Sequence, residues 1–169
     1  MAKGLIEPHI FIASANPAKL IRNLSGILTE AELDKIRTAV NDEAKGLFAL
    51  GYSHFVFAKS VDRANWRQKI SRLYYAAYNI RRAISIVDGG IFSTDSSDHQ
   101  KVNELPQMLN NVSIYSLKLK NLREDRNLAD YSHLAIESNL LISQDNAQST
   151  LEEFVEDAKA FLAQKGIHV

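Results

Sequence analysis

At 169 residues, 46% of them hydrophobic, the chain has the length of one domain and enough apolar mass to close a core of its own. Twenty Lys and Arg balance twenty Asp and Glu, which excludes a uniformly basic polymer binder and an acidic tail while leaving local patches open. The absence of Cys excludes a disulfide framework, a thiol nucleophile and a Cys-ligated metal cluster, and 7 Gly with 3 Pro disfavour an all-β chain.

Residues 1–28 read as an arm. Within it Asn16-Pro17 is an N-cap followed by Pro at the first helical position, and Gly26 is a stop, so a short helix is expected over 17–25. Thr29 with Glu32 three residues later is a capping box. From there Leu33, Ile36, Val40, Ala44, Leu47, Gly51, His54 or Phe55, and Ala58 step by three and four, which predicts one long helix to about Lys59, bent near Gly46 or Gly51. His54 reads as a satisfied core histidine on that stripe.

A second long helix is expected over 64–87, with Trp66, Ile70, Leu73, Tyr74, Ala77, Ile84 and Val87 inward and Asp88-Gly89-Gly90 as its end. Residues 91–97 read as a polar loop. Ser97 to Gln100 reads as a further capping box, opening a short helix that Pro106 re-aims. A fourth helix is expected over 114–132 and a fifth over 147–164, with 139–146 as the linker between them. No strand-like alternation and no repeat occurs. The expectation is an all-α fold: an arm over 1–28, then an antiparallel bundle of four to five helices over 29–169.

The opening Met-Ala-Lys-Gly-Leu-Ile-Glu-Pro lacks the continuous apolar stretch of a secretory signal, and residues 47–58 fall far short of the about 20 that cross a bilayer. A cytoplasmic protein without membrane contact is therefore expected. No HExxH, Walker A loop, GxGxxG or GxSxG is present, so neither a metal nor a cofactor is expected.

The 114–132 segment carries the strongest chemical signal. Its apolar phase runs Leu119, Leu122, Arg126, Ala129, His133, and a seven-residue spacing would place Arg126 and His133 about 20° apart in direction and about 10.5 Å apart along the axis. A guanidinium on an apolar stripe is costly unless paired, and Asp130 at i+4 is the plain structural partner. Seven basic residues between 59 and 82 face a single acid, Asp62, whereas the last helix opens with Glu152, Glu153, Glu156 and Asp157. That asymmetry reads either as a solvated face or as a phosphate-attracting surface. Tyr74, Tyr75 and Tyr78 are interleaved with the basic run, and at helical spacing at least two of them read as packing residues. His99, after Asp98, reads as a cap neighbour or a site residue.

Ser71-Arg72-Leu73-Tyr74-Tyr75-Ala76-Ala77-Tyr78, then His99, then Arg126-Asn127-Leu128-Ala129-Asp130-Tyr131 together resemble the HEPN superfamily of small helical domains, over about residues 31–163. The resemblance implies a bundle that often dimerises. It also implies one of two functions. The first is a metal-independent endoribonuclease, often the toxin of a toxin–antitoxin or defence module, built on an R-x(4–6)-H motif that Arg126, Asn127 and His133 match. The second is a non-catalytic module that pairs with a nucleotidyltransferase or binds nucleotide or RNA. In one non-catalytic group the order is R-x(4)-H-x-Y, whereas here Tyr131 precedes His133. For the catalytic reading, Arg126 and His133 would act with Asn127, while Arg72, Asp130, Tyr131 and His99 would bind or orient. An isologous homodimer would join two Arg126 and two His133 across a two-fold axis, with RNA as substrate.

Overall fold

A computed structural model describes residues 16–88 and 96–169, which form a bundle of five α-helices with no strand among the described residues. They are α1 (Pro17–Leu24), α2 (Glu30–Ser60), α3 (Trp66–Val87), α4 (Val112–Tyr131) and α5 (Gln144–Gln164). Short 3-10 segments cover Arg63–Asn65, Ser96–Lys101 and Glu137–Asn139. The expected stops at Gly89 and Gly90 and most of the expected loop lie outside the described residues.

Local chemistry sets the helix starts. Asn16 accepts from the Lys19 N–H, and Thr29 and Glu32 close both halves of their capping box. Ser143 caps α5 through the Asn146 N–H, so this helix begins three residues before the expected 147 and shortens the linker.

The central element is α3, which contacts α2, α4 and α5 and contributes Ile70, Leu73, Ala76, Ala77, Ile80 and Ile84 to the core. Against it α2 runs as the other arm of a helical hairpin. A Cβ at Gly51 would meet the Ala76 carbonyl oxygen at 2.9 Å and Ile80 Cγ1 at 2.7 Å, so the two backbones approach to a distance that only glycine permits. Phe154, Leu151 and Ala158 of α5 and Tyr115, Leu119 and Leu122 of α4 complete the same core.

Two polar anchors fix the chain on either side of α4. At its C-terminus Arg67, stacked over Trp66, donates to the carbonyls of Ala129 (2.7 Å) and Ala135 (2.7 Å). The Ala129 carbonyl is one that the helix leaves unpaired, Ala135 lies beyond its end, and the cation also suits the negative end of the helix dipole. Farther back, buried Asp125 accepts from the backbone N–H groups of Leu141 (2.7 Å) and Ile142 (2.9 Å), pinning the return toward α5.

Much of the basic run over 59–82 is matched inside the molecule. Lys59 pairs with Glu152 and Arg63 with Asp145, joining the α2–α3 corner to α5. Arg67 is spent on the α4 terminus, and Arg81 is buried in an ion pair with Asp98. The charge asymmetry is thus largely an internal match rather than one phosphate-attracting face.

Among the described residues no helix is long and apolar enough to cross a membrane.

Candidate functional site

On α3, Tyr74 and Tyr78 are one turn apart and their rings stack at 6.2 Å; both are buried. Tyr75, one residue further round, is only half-buried and meets the edge of Tyr74. The expectation that at least two of the three tyrosines pack holds. The third, half-buried, lies where His54 of α2, Arg126 of α4 and His99 of the Ser96–Lys101 turn meet, a junction we call the crevice.

That turn is not the expected cap of a short α-helix. Asp98, fully buried, reaches back to α3 instead: its Oδ1 accepts from Arg81 Nη1 at 3.1 Å, and its Oδ2 lies 3.6 Å from Arg82 Nε. From α4, Arg123 donates to the Gln100 carbonyl at 2.7 Å and Ser116 to the Asn103 carbonyl at 2.9 Å. Held on both flanks, the turn lays the His99 ring on Tyr78, centroids 4.1 Å apart and planes 15° apart. His99 Nδ1 lies 2.9 Å from the Tyr74 hydroxyl, which leaves Nε2 as the free edge of the imidazole. Burial pushes the Tyr78 phenol up to about 12, with Asp98 adding and Arg82 opposing, and burial likewise raises Tyr74. Both phenols therefore remain protonated near neutrality.

Arg126 enters from α4. Its Nη2 donates to the Tyr75 hydroxyl at 2.6 Å and its Nη1 to Asn127 Oδ1 at 3.2 Å. Nε lies 2.7 Å from Asp130 Oδ2, an ion pair whose N–H is not aligned for a hydrogen bond. The guanidinium carbon stands 5.5, 5.3 and 5.2 Å from the ring centres of Tyr74, Tyr75 and Tyr131. The pairing with Asp130 is the one the spacing predicts, but the side chain lies in the crevice instead of reaching out to solvent. Of its five N–H groups, two are given to Asn127 and Tyr75, each Nη keeps a second hydrogen, and Nε is ion-paired with Asp130 without a hydrogen bond. Burial, reinforced by the Arg126 charge, lowers the pKa of His99, so this imidazole is neutral at pH 7 and sits in the field of a fixed cation.

The expected placement of His133 fails. α4 ends at Tyr131, and Ser132 leaves the helix with an extended backbone (φ −100°, ψ 106°). His133 follows in an exposed turn and shares no helical face with Arg126. The cause is the Arg67 clamp, which satisfies the last carbonyls of α4 and draws Ala135 toward α3. The two-fold arrangement of paired Arg126 and His133 rested on that shared face and loses its premise.

His54 is likewise not a core residue. Phe55 takes the buried position on the α2 stripe, and His54 lies beside Tyr75 (ring centres 5.9 Å) with its Nδ1 3.3 Å from Arg72 Nη1. Burial first, and then the Arg72 charge, lowers its pKa. Arg72 also stands over the Phe57 ring at 5.4 Å.

The structure therefore brings Arg126, Asn127, Asp130, Tyr131 and His99 to one crevice, sets Arg72 at its α2 side through His54, and leaves His133 in the exposed turn that follows α4. Sequence reasoning missed the tether by Asp98 and the contribution of His54. The available signal was three tyrosines at i, i+1 and i+4 on a helix that also carries Arg72 and Arg81. Comparison with protein-family models, with curated proteins and with solved structures found no match. Among the described residues no group of three or more His, Asp or Glu side chains could hold a metal ion.

Proposed function

We propose that this chain is a HEPN-type endoribonuclease that cuts RNA without a metal, of the kind that serves as the toxin of a toxin–antitoxin or defence module. One observation carries the reading. Arg126 of α4 and His99 of a separate turn, both within the motif set that resembles that superfamily, converge on the Tyr74–Tyr75 pair of α3.

The chemistry follows from the groups present. With its proton on Nδ1, donated to the Tyr74 oxygen while the Tyr74 hydroxyl donates to the His99 carbonyl at 3.4 Å, neutral His99 keeps a lone pair on Nε2 and takes there the proton of a ribose 2′-OH, whose oxygen attacks the adjacent phosphorus. The bond from phosphorus to the 5′-oxygen breaks, and that oxygen takes a proton from water. The products are a 2′,3′-cyclic phosphate and a 5′-hydroxyl. A general base of this kind contributes about 10²–10⁴-fold. The uncommitted N–H groups of Arg126 point charge at the equatorial phosphate oxygens, where a planar guanidinium fits best. Asp130 and Asn127 position Arg126, and Tyr74 positions His99.

The test is incubation of purified protein with single-stranded RNA in excess EDTA. Cleavage to cyclic-phosphate ends is expected, reduced by at least about 10²-fold in Arg126→Ala and in His99→Ala, and retained in His133→Ala. Absence of cleavage by the unaltered protein, or cleavage that survives both of the first two substitutions, overturns the reading. A second reading is favoured by one feature: all three nitrogens of Arg126 already have protein partners. In that reading the crevice binds nucleotide or RNA without cutting, and the domain pairs with a nucleotidyltransferase. Stable binding with no product in the same assay selects it.

A further inference from the structure

The crevice does not end at Arg126 and His99. Starting on α2, Phe57 lies under the Arg72 guanidinium at 5.4 Å, and Arg72 contacts His54 at 3.3 Å. His54 faces Tyr75 at 5.9 Å, Tyr75 accepts from Arg126, and Arg126 stands over Tyr131 at 5.2 Å. Rings and nitrogenous groups thus alternate from α2 across α3 to the end of α4. The two terminal rings are the exposed ones: Phe57 is 52% and Tyr131 73% accessible.

We infer that this strip is a groove for single-stranded RNA, with Phe57 and Tyr131 as base-stacking platforms at its two ends and Arg72 and Arg126 as the phosphate contacts between them.

Several physical points converge on that occupant. Both rings stand open to water at the ends of the strip, where a nucleobase can cover them whatever its sequence. Each exposed ring already carries a guanidinium beside it, which supplies charge next to the stacking surface. Arginine can only donate, so His54 Nδ1 must accept from Arg72, and the His54 proton then sits on Nε2 as one more donor for a phosphate oxygen. Arg72 forms no ion pair among the described residues, so its charge is not already spent. The carboxylate in contact with the strip is Asp130, on Arg126. In a duplex the bases are stacked on one another and show these rings only phosphates and riboses, so the two platforms discriminate for unpaired strands.

The inference rests on the reading of the substrate as RNA, but its readout does not depend on cutting. The probe is a fluorescent oligouridine of about 12 nucleotides, within the usual site sizes for such grooves. Its riboses are 2′-O-methylated so that no 2′-oxygen can attack, and binding is followed by anisotropy against a duplex of the same length. The single strand is expected to bind at least about tenfold more tightly than the duplex. Phe57→Ala and Tyr131→Ala each weaken it by roughly 5- to 100-fold, while Phe57→Trp and Tyr131→Phe retain affinity because the ring, not the hydroxyl, does the stacking. Arg72→Gln weakens binding and lowers the slope of log affinity against log salt by about one.

Equal affinity for strand and duplex, or alanine variants that bind as the parent does, overturns the groove. So does a change of oligomeric state in Phe57→Ala or Tyr131→Ala with no change in RNA affinity, which assigns the rings to a protein contact. The two readings fail separately. Binding without cleavage removes the nuclease and keeps the groove, whereas cleavage with both alanine variants at full affinity does the reverse.

Discussion

Asp98 is the residue on which the crevice is assembled, and its removal has a calculable cost. Its carboxylate is fully buried and its partner Arg81 is 3% exposed, at 3.1 Å. Replacing Asp98 by Ala leaves a buried guanidinium uncompensated, a defect that costs about 3–5 kcal/mol. Against a total stability of about 5–15 kcal/mol for a domain of this kind, that is a large fraction, and equilibrium unfolding in urea measures it directly. Asp98→Ala combined with Arg81→Met removes the orphaned charge and recovers most of the loss, because a buried pair exchanged for apolar residues is close to neutral. The tether of the Ser96–Lys101 turn is absent in both variants. His99 should therefore lose its stack on Tyr78 in each, and its titration, followed by ring NMR, should move up toward the ordinary imidazole value of about 6.5. A loss below about 1 kcal/mol in Asp98→Ala, or an unchanged His99 titration in the double variant, would refute the assignment of Asp98 as the anchor.

Two further outcomes follow from the same structure. Gly51→Ala drives a methyl against the Ala76 carbonyl, which cannot yield without parting α2 from α3, and should cost about 1–3 kcal/mol net of the helix-propensity gain; Gly46→Ala, with no atom within 4 Å, should gain up to about 1 kcal/mol in the same melts. His54 and His99 are both lowered below the unfolded imidazole value, chiefly by burial. The unfolded chain therefore takes up these protons first, and stability present above about pH 6.5 is lost as pH falls through that value toward their folded pKa. His99→Gln should flatten that fall in unfolding curves between neutral and acidic pH, and an unchanged slope would contradict the buried placement of the ring.

What could be read from the residue string was what depends on neighbours in the chain. Thr29 and Glu32 closed their box, Asn16 and Pro17 started α1, and the stripe from Leu33 to Ala58 became the buried face of α2. Arg126 found Asp130 at the expected spacing. The failures share a cause, because each was decided by a partner distant in sequence. α4 stops at Tyr131 because Arg67, some sixty residues earlier, takes up the carbonyls of Ala129 and Ala135. One residue of error at that end was enough to remove His133 from the Arg126 face. Ser97 to Gln100 carries a local capping pattern, yet the segment forms a 3-10 turn whose Asp98 carboxylate is held by the buried Arg81 of α3. His54 and Phe55 were interchangeable in the periodicity, and packing gave the buried place to the phenyl ring and the crevice to the imidazole. The basic run over 59–82 could not be divided between free and spent charge without knowing that Glu152 and Asp145 of α5 would lie beside it.

The coupling between Arg126 and His99 is the relation on which the proposed chemistry stands, and histidine ring titration by NMR in the parent and in Arg126→Ala measures it without any substrate. Loss of the guanidinium should raise the His99 pKa, since that charge opposes protonation of the ring. A His99 titration that stays where it was on removing Arg126 would show that the two groups do not share a site.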